Sequence, residues 1–172
     1  TRDVAKDPAQ TALIARYRPF YTPLATRRVG TIASELLRTP NMAGESALGD
    51  VVADAYLEGA RAVDPNVVAA FPNAGGIRTD LGGVPGAAPG APREVEFSNV
   101  FDMLPFGNVV ITRSLSGEQI LRWLEQQFDN PSGPGDVMLQ VAGITYSYTR
   151  SRPAGQRIDR DSVRIGGQPL VP

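Results

Sequence analysis

Helix-like and strand-like segments are mixed along this chain with no regular β-α-β repeat, and that order constrains the fold more than any single motif. A doubly wound parallel sheet is built from the repeat, so its lack favours an α+β fold: a mixed β-sheet with packed helices. The clearest helix covers residues 45–63, ESALGDVVADAYLEGARAV. Its spacing puts Leu48, Val52, Ala55 and Gly59 on one face. Asp50, Asp54, Glu58 and Arg61 fall on the opposite face and read as solvated.

The other elements are shorter. Residues 7–17 suit a helix, with Asp7 as its cap, Pro8 in its first turn, and Leu13, Ile14 and Tyr17 on one face. Residues 18–27 carry two prolines and read as an extended connector. Residues 28–37 lean to a strand, although Val29, Ile32, Leu36 and Leu37 also fit helical spacing. Residues 67–71, VVAAF, read as a buried strand. Residues 82–92, GGVPGAAPGAP, are a Gly/Pro/Ala loop that cannot pack a core. A strand is expected at 95–97, a turn over SNVFDMLPFGN, and a strand at 109–115. Ser116 and Gln119 form a capping-box pair that opens a helix with Ile120, Leu121, Leu124 and Phe128 facing inward. NPSGPG at 130–135 ends it. Residues 138–148 are strand-like, with Ile144, Tyr146 and Tyr148 on one side. Residues 163–165 make a last short strand, and Gly166-Gly167 turn it.

The 172 residues suffice for one domain with a real core, and 42% hydrophobic with 20% charged residues is an ordinary globular balance. A formal net charge of -1 advertises neither a nucleic-acid polymer nor an anionic membrane. No apolar run approaches the ~20 residues of a membrane span. TRDVAKDPAQ lacks the layout of a signal peptide, so any signal would belong to a longer precursor. The chain has no Cys, which removes disulfides and thiolate chemistry. It has no His, which removes the commonest general base near neutral pH and any Ser-His-Asp triad. Asp80, Glu94, Glu96 and Asp102 show no spacing that pairs them for carboxylate hydrolysis.

The stretch FPNAGGIR carries the chemistry. Pro72 ends a strand's hydrogen-bond ladder. Asn73 can donate and accept at a heterocycle edge or hydroxyl. Gly75 and Gly76 permit positive φ and close approach of a ligand, and their amides could form an anion-binding nest. Arg78 adds a permanent forked cation suited to phosphate. The bland alternative is a tight turn with a solvated Arg. In FDMLPFGN, Phe106 is either a stacking platform for a base or a plug in the core.

ESALGDVVADAY, NAGGIRTDL, LPFGNVVITRSLSGEQILRWLE and LQVAGITYSYTRSRPAGQRI occur here in order. Together they resemble the C-terminal domain of the 5′-nucleotidases, a family that includes UDP-sugar hydrolases and 2′,3′-cyclic nucleotide phosphodiesterases. The resemblance covers residues 1–172. It implies a substrate-binding domain that takes a nucleotide or UDP-sugar. The partner would be its own N-terminal metallophosphoesterase domain, which holds two divalent metal ions outside this chain. It implies substrate contacts at Asn73 and Arg78 and base stacking at Phe106, and the close approach that Gly75 and Gly76 permit makes them substrate-binding candidates beside these. It also implies an extracellular, cell-wall or periplasmic location. No cofactor is expected in the chain itself, and the chain alone is expected to be inactive.

Two departures from the family stand out. Many members carry an Arg shortly before the Glu matching Glu45, where this chain has Met42 or Gly44, and Arg38 lies too far upstream to replace it without a different loop. The family also continues beyond residue 172 into a segment with a second stacking aromatic and an Asp for the ribose. Asp50 stands where Asn is common. The alternative reading is a binding or interaction module that keeps the fold without tight nucleotide recognition.

Overall fold

In the computed structural model, residues 4–84, 88, 91–129 and 137–171 are described. They fall into two compact units, Thr1–Glu35 with Leu81–Pro105 and Leu36–Asp80 with Phe106–Pro172. Helices and small antiparallel sheets are mixed, as the irregular order of elements predicts. The loop expected at residues 82–92 lies partly, and the helix-ending segment 130–135 wholly, outside the described residues. No helix among the described residues is long and apolar enough to cross a membrane.

The first unit holds α1 (Pro8–Ala25), β1 (Arg28–Ile32), β2 (Arg93–Glu96) and α3 (Phe97–Met103). Asp7 caps α1 by accepting the Gln10 amide at 3.0 Å. The expected connector at 18–27 is instead mostly helix, running through Pro19 and Pro23. Proline's fixed φ is compatible with a helix, but each ring removes one donor and crowds the carbonyl four residues back. No side chain of α1 is buried, so water can solvate the carbonyls those prolines leave. β1 and β2 pair antiparallel with an irregularity between Arg28 and Gly30. The expected turn after β2 is in fact α3. Its signal was present: the Asn99 side chain accepts the Glu96 amide at 2.9 Å, which closes the first turn. Phe97 and Phe101, one turn apart, stack at 6.4 Å, and the Arg27 guanidinium lies 5.4 Å from the Phe97 ring.

The second unit holds α2 (Ala47–Arg61), α4 (Gly117–Gln126), β3 (Ile144–Tyr148), β4 (Ile158–Ile165) and β5 (Gln168–Pro169). β3, β4 and β5 form an antiparallel meander in that order. Its core gathers Leu121, Leu124, Phe128, Ile144, Ile158 and Val163, with Phe71 stacked on Trp123 at 4.8 Å. α4 starts as read: the Ser116 amide donates to Gln119 Oε1 and the Gln119 amide to Ser116 Oγ. β4 runs longer than its apolar end suggested. Gly166 and Gly167, both at positive φ, turn it into β5 as a two-residue hairpin loop demands.

Three expectations are corrected here. Residues 67–71 make one antiparallel bridge, Ala70 with Ala142, rather than a strand. Residues 109–115 form no strand and are exposed throughout. Segment 138–148 is a ladder strand only from Ile144. Apolar alternation fits a strand, but a strand exists only where a neighbour satisfies its amides. The buried stripe of α2 also differs, being Leu48, Val52, Ala53, Leu57 and Ala60, while Ala55 and Gly59 are exposed.

Gln140 fixes the start of α2. It is buried, and its Oε1 accepts the Ser46 amide at 2.9 Å and the Ser46 hydroxyl at 3.2 Å. Its Nε2 donates to the Gly44 carbonyl at 2.9 Å. Gly49 is the neighbour that makes room, since a Cβ there would lie 2.0 Å from Gln140 Oε1. Gly49→Ala should therefore destabilise by about 2 kcal/mol or more through overpacking, although Ala is the better helix former by about 1 kcal/mol. Gln140→Ala should cost about 2–4 kcal/mol by leaving buried backbone groups unpaired. In the double variant the two losses should overlap by at least about 1 kcal/mol, because the clash disappears with the carboxamide. Urea denaturation of the three variants reads this, and full additivity would contradict it.

Asp50, on the exposed face of α2, has its carboxyl pushed above the ordinary value by partial burial, then by repulsion from Glu45 and Asp54. The folded state thus holds this proton more tightly than the unfolded chain, and the group's contribution is unfavourable above its folded pKa. Below the unfolded value that contribution vanishes. Asp50→Asn should raise the melting temperature at pH 7, and the gain should fade as the pH falls to about 3, below the ordinary Asp value. A gain that persists at low pH would show another cause.

Candidate functional site

The chain enters the site from the Ala70–Ala142 bridge through buried Pro72. Asn73 then builds a turn. Its Oδ1 accepts the Gly75 amide at 3.0 Å, and its carbonyl accepts the Gly76 amide at 2.9 Å. Ala74–Gly76 form one tight helical turn. The two glycine amides donate inside the turn, so they do not make the outward-facing nest expected of them. Nor is Gly75 among the glycines at positive φ. Its small size has another use: a Cβ would sit 3.3 Å from Asn73 Oδ1, the atom that closes the turn. Arg78 reaches back, donating to the Gly75 carbonyl at 3.2 Å, and buried Ile77 anchors the loop between them.

A cavity of about 1050 Å³ opens beside this turn. Gly75 and Arg78 line it, together with Arg38, Asn41, Met42 and Arg150. Among its described lining residues there is no Asp or Glu. Asn73, Gly76 and Phe106 are not lining residues; Asn73 acts on the cavity through Gly75.

Arg38 is the residue that sequence spacing set aside. The loop after it folds back on itself: the Asn41 amide donates to the Glu45 carbonyl at 2.7 Å, and Asn41 Oδ1 accepts the Ala43 and Glu45 amides. That compact loop returns Arg38 to the cavity that Arg78 lines. The Arg38 amide also donates to Asp80 Oδ1 at 2.7 Å, linking it to the chain just past Arg78. Asn41 with Gly44, which is at positive φ, was the available sign of a tight loop. Met42 stands at the tip, fully exposed.

Phe106 is 52% exposed, so it is not a core plug. Gly107 and Asn108 beside it are exposed too. A half-exposed ring offers a face to a base at little conformational cost. Among the described residues no group of three or more His, Cys, Asp or Glu is placed to hold a metal ion. With no His in the sequence either, these residues do not fit a dimetal centre of His and carboxylate ligands. What the cavity offers is binding: fixed cations, a polar turn and room for a small molecule.

The family described as 5′-nucleotidase, C-terminal domain, matches residues 26–172. The chain is 33% identical over 114 residues to the trifunctional nucleotide phosphoesterase protein YfkN of Bacillus subtilis, covering 66% of this chain and 7% of that protein. It is 28% identical over 159 residues to the NAD 5′-nucleotidase of Haemophilus influenzae, covering 85% of this chain and 24% of that one. The solved structure of a 5′-nucleotidase precursor from Thermus thermophilus superposes with a TM-score of 0.68 and 30% identity, over 91% of this chain and 29% of that chain. The chain therefore spans about a quarter or less of these curated relatives. With the match running from residue 26 to residue 172 and the fold shared, this chain belongs to the 5′-nucleotidase C-terminal domain family.

Proposed function

We propose that this chain is the nucleotide-binding part of a metal-dependent phosphoester hydrolase of the 5′-nucleotidase type. One observation carries the reading: Arg78, on the loop that matches the family, shares with Arg38 a cavity whose described lining residues include no Asp or Glu. Two arginines lining one cavity suit a phosphate group, which carries about −1.5 to −2 charges near neutral pH. In this reading Arg78 and Arg38 hold the phosphate, Asn73 keeps the turn in shape, and Phe106 stacks on the base. Water activation and bond cleavage belong to two divalent ions on a metallophosphoesterase domain of the same polypeptide. This chain binds and orients substrate, a nucleotide or UDP-sugar. Its proposed setting is the cell exterior, the cell wall or the periplasm, as the family resemblance implies.

Calorimetry with AMP and with ribose 5-phosphate separates the two contacts. AMP should bind in the millimolar range, about 4 kcal/mol, and ribose 5-phosphate more weakly. Arg78→Gln should weaken both by about tenfold, the loss of one charge-assisted contact. Phe106→Ala should weaken AMP alone, and should cost well under the ~3–5 kcal/mol of a buried Phe in stability. No phosphate should be released from AMP with added divalent metal. Metal-dependent turnover by this chain, or AMP binding indifferent to both substitutions, would contradict the reading.

A further inference from the structure

All the sulfur of this chain is in methionine, because it has three Met and no Cys. The three surroundings differ. Met103, on α3, is buried. Met138 is half-buried and packs on the core of the second unit. It also fills the space beside Gly44, where a Cβ would lie 2.4 Å from Met138 Cγ. Met42 is fully exposed, and it lines the cavity that Arg38 and Arg78 line. The loop that carries it does not depend on its side chain. Asn41 folds the loop, Gln140 holds it at Gly44, and Tyr148 holds it at Ala43. A thioether in water meets dissolved oxidants, and one packed into a core is shielded from them.

We propose that Met42 is an oxidation site, at which a hydroperoxide makes the cavity lining polar and weakens the binding of an anion there. The sulfur lone pair attacks one peroxide oxygen. An S–O bond forms, the O–O bond breaks, and the departing oxygen leaves with the proton as water or an alcohol. Sulfur loses two electrons and the peroxide gains them. The product, a sulfoxide, is polar where the thioether was apolar. Its oxygen is an acceptor in a cavity whose described lining residues include no Asp or Glu, and it competes with an anion for the donors of Arg38 and Arg78. The clamped backbone keeps the change local to the tip of the loop. This rests on the phosphate reading of Arg78 and Arg38, and adds a control on it.

Hydrogen peroxide, added in steps to the purified chain and then removed, tests it with two readouts. Peptide mass spectrometry gives the order of oxidation, and calorimetry with inorganic phosphate gives the affinity. Met42 should gain one oxygen ahead of Met138, and about tenfold or more faster than Met103. Where Met42 alone is modified, the melting temperature should be unchanged. Phosphate should then bind about threefold more weakly, the scale of one neutral hydrogen bond. Met42→Leu, which has no sulfur at this position, should bind phosphate equally before and after the treatment. Oxidation of Met138 or Met103 as fast as Met42 overturns the inference. So does an equal loss of affinity in treated Met42→Leu. If phosphate binds the untreated chain through Arg78 and the Met42 sulfoxide binds it as well, this inference falls and the phosphate reading stands. If the untreated chain binds no phosphate, the phosphate reading falls and the control on it falls too.

Discussion

The Gln140 carboxamide joins two segments that are far apart in sequence and gives the site its shape. It accepts from Ser46 and donates to Gly44, so its two hydrogen-bonding ends grip consecutive parts of one loop. A buried amide of this kind is costly unless every bond is made, which fixes one loop geometry rather than several. Ser46 in turn caps α2 by accepting the Gly49 amide at 3.0 Å, so the cap, the helix and the loop share one network. Tyr148 adds a third attachment at Ala43. The exposed tip at Met42 therefore sits on a backbone held from several sides.

From that fixed loop the rest of the site follows. Arg38 precedes it and Asp80 holds its amide. Arg78 belongs to the Asn73 turn, whose approach is set by the Ala70–Ala142 bridge. Gly143, at positive φ next to that bridge, leaves no space for a side chain, because a Cβ would lie 2.1 Å from the Val68 carbonyl. Gly143 and Gly49 thus both serve close packing within one unit. The cations of the cavity are carried on short loops, but those loops are anchored by buried groups. Pre-organisation of that kind spares a ligand the entropy of ordering its own site.

Much of this was legible in the residues. The α+β class, the Ser116 capping box, the Gly166-Gly167 hairpin and the alternation of Ile144, Tyr146 and Tyr148 are local signals, and local physics honoured them. The apolar segment 109–115 and the run 67–71 resemble strands but form none, because strand pairing is not local: neither finds the continuous partner a ladder needs. Helix α1 was cut short at its prolines, although an exposed helix tolerates them better than a buried one. At the candidate site, residue chemistry singles out Asn73, Gly75 and Arg78, which build one turn beside the cavity, but the glycine amides serve the turn rather than facing a ligand. Arg38 looks too distant along the chain, but the compact loop after it returns it to the cavity that Arg78 lines. Gln140 gave no sequence signal at all, since nothing distinguishes a buried glutamine from a surface one before the partners are known.

The most direct measurement is a crystal structure of this chain soaked with AMP at several times its dissociation constant. The account predicts the phosphate in the cavity against Arg78 and Arg38, and the adenine ring parallel to Phe106. The Gln140 bonds to Ser46 and Gly44 should be unchanged from those of the free chain. Adenine density away from Phe106 together with phosphate outside the Arg38–Arg78 cavity would contradict it.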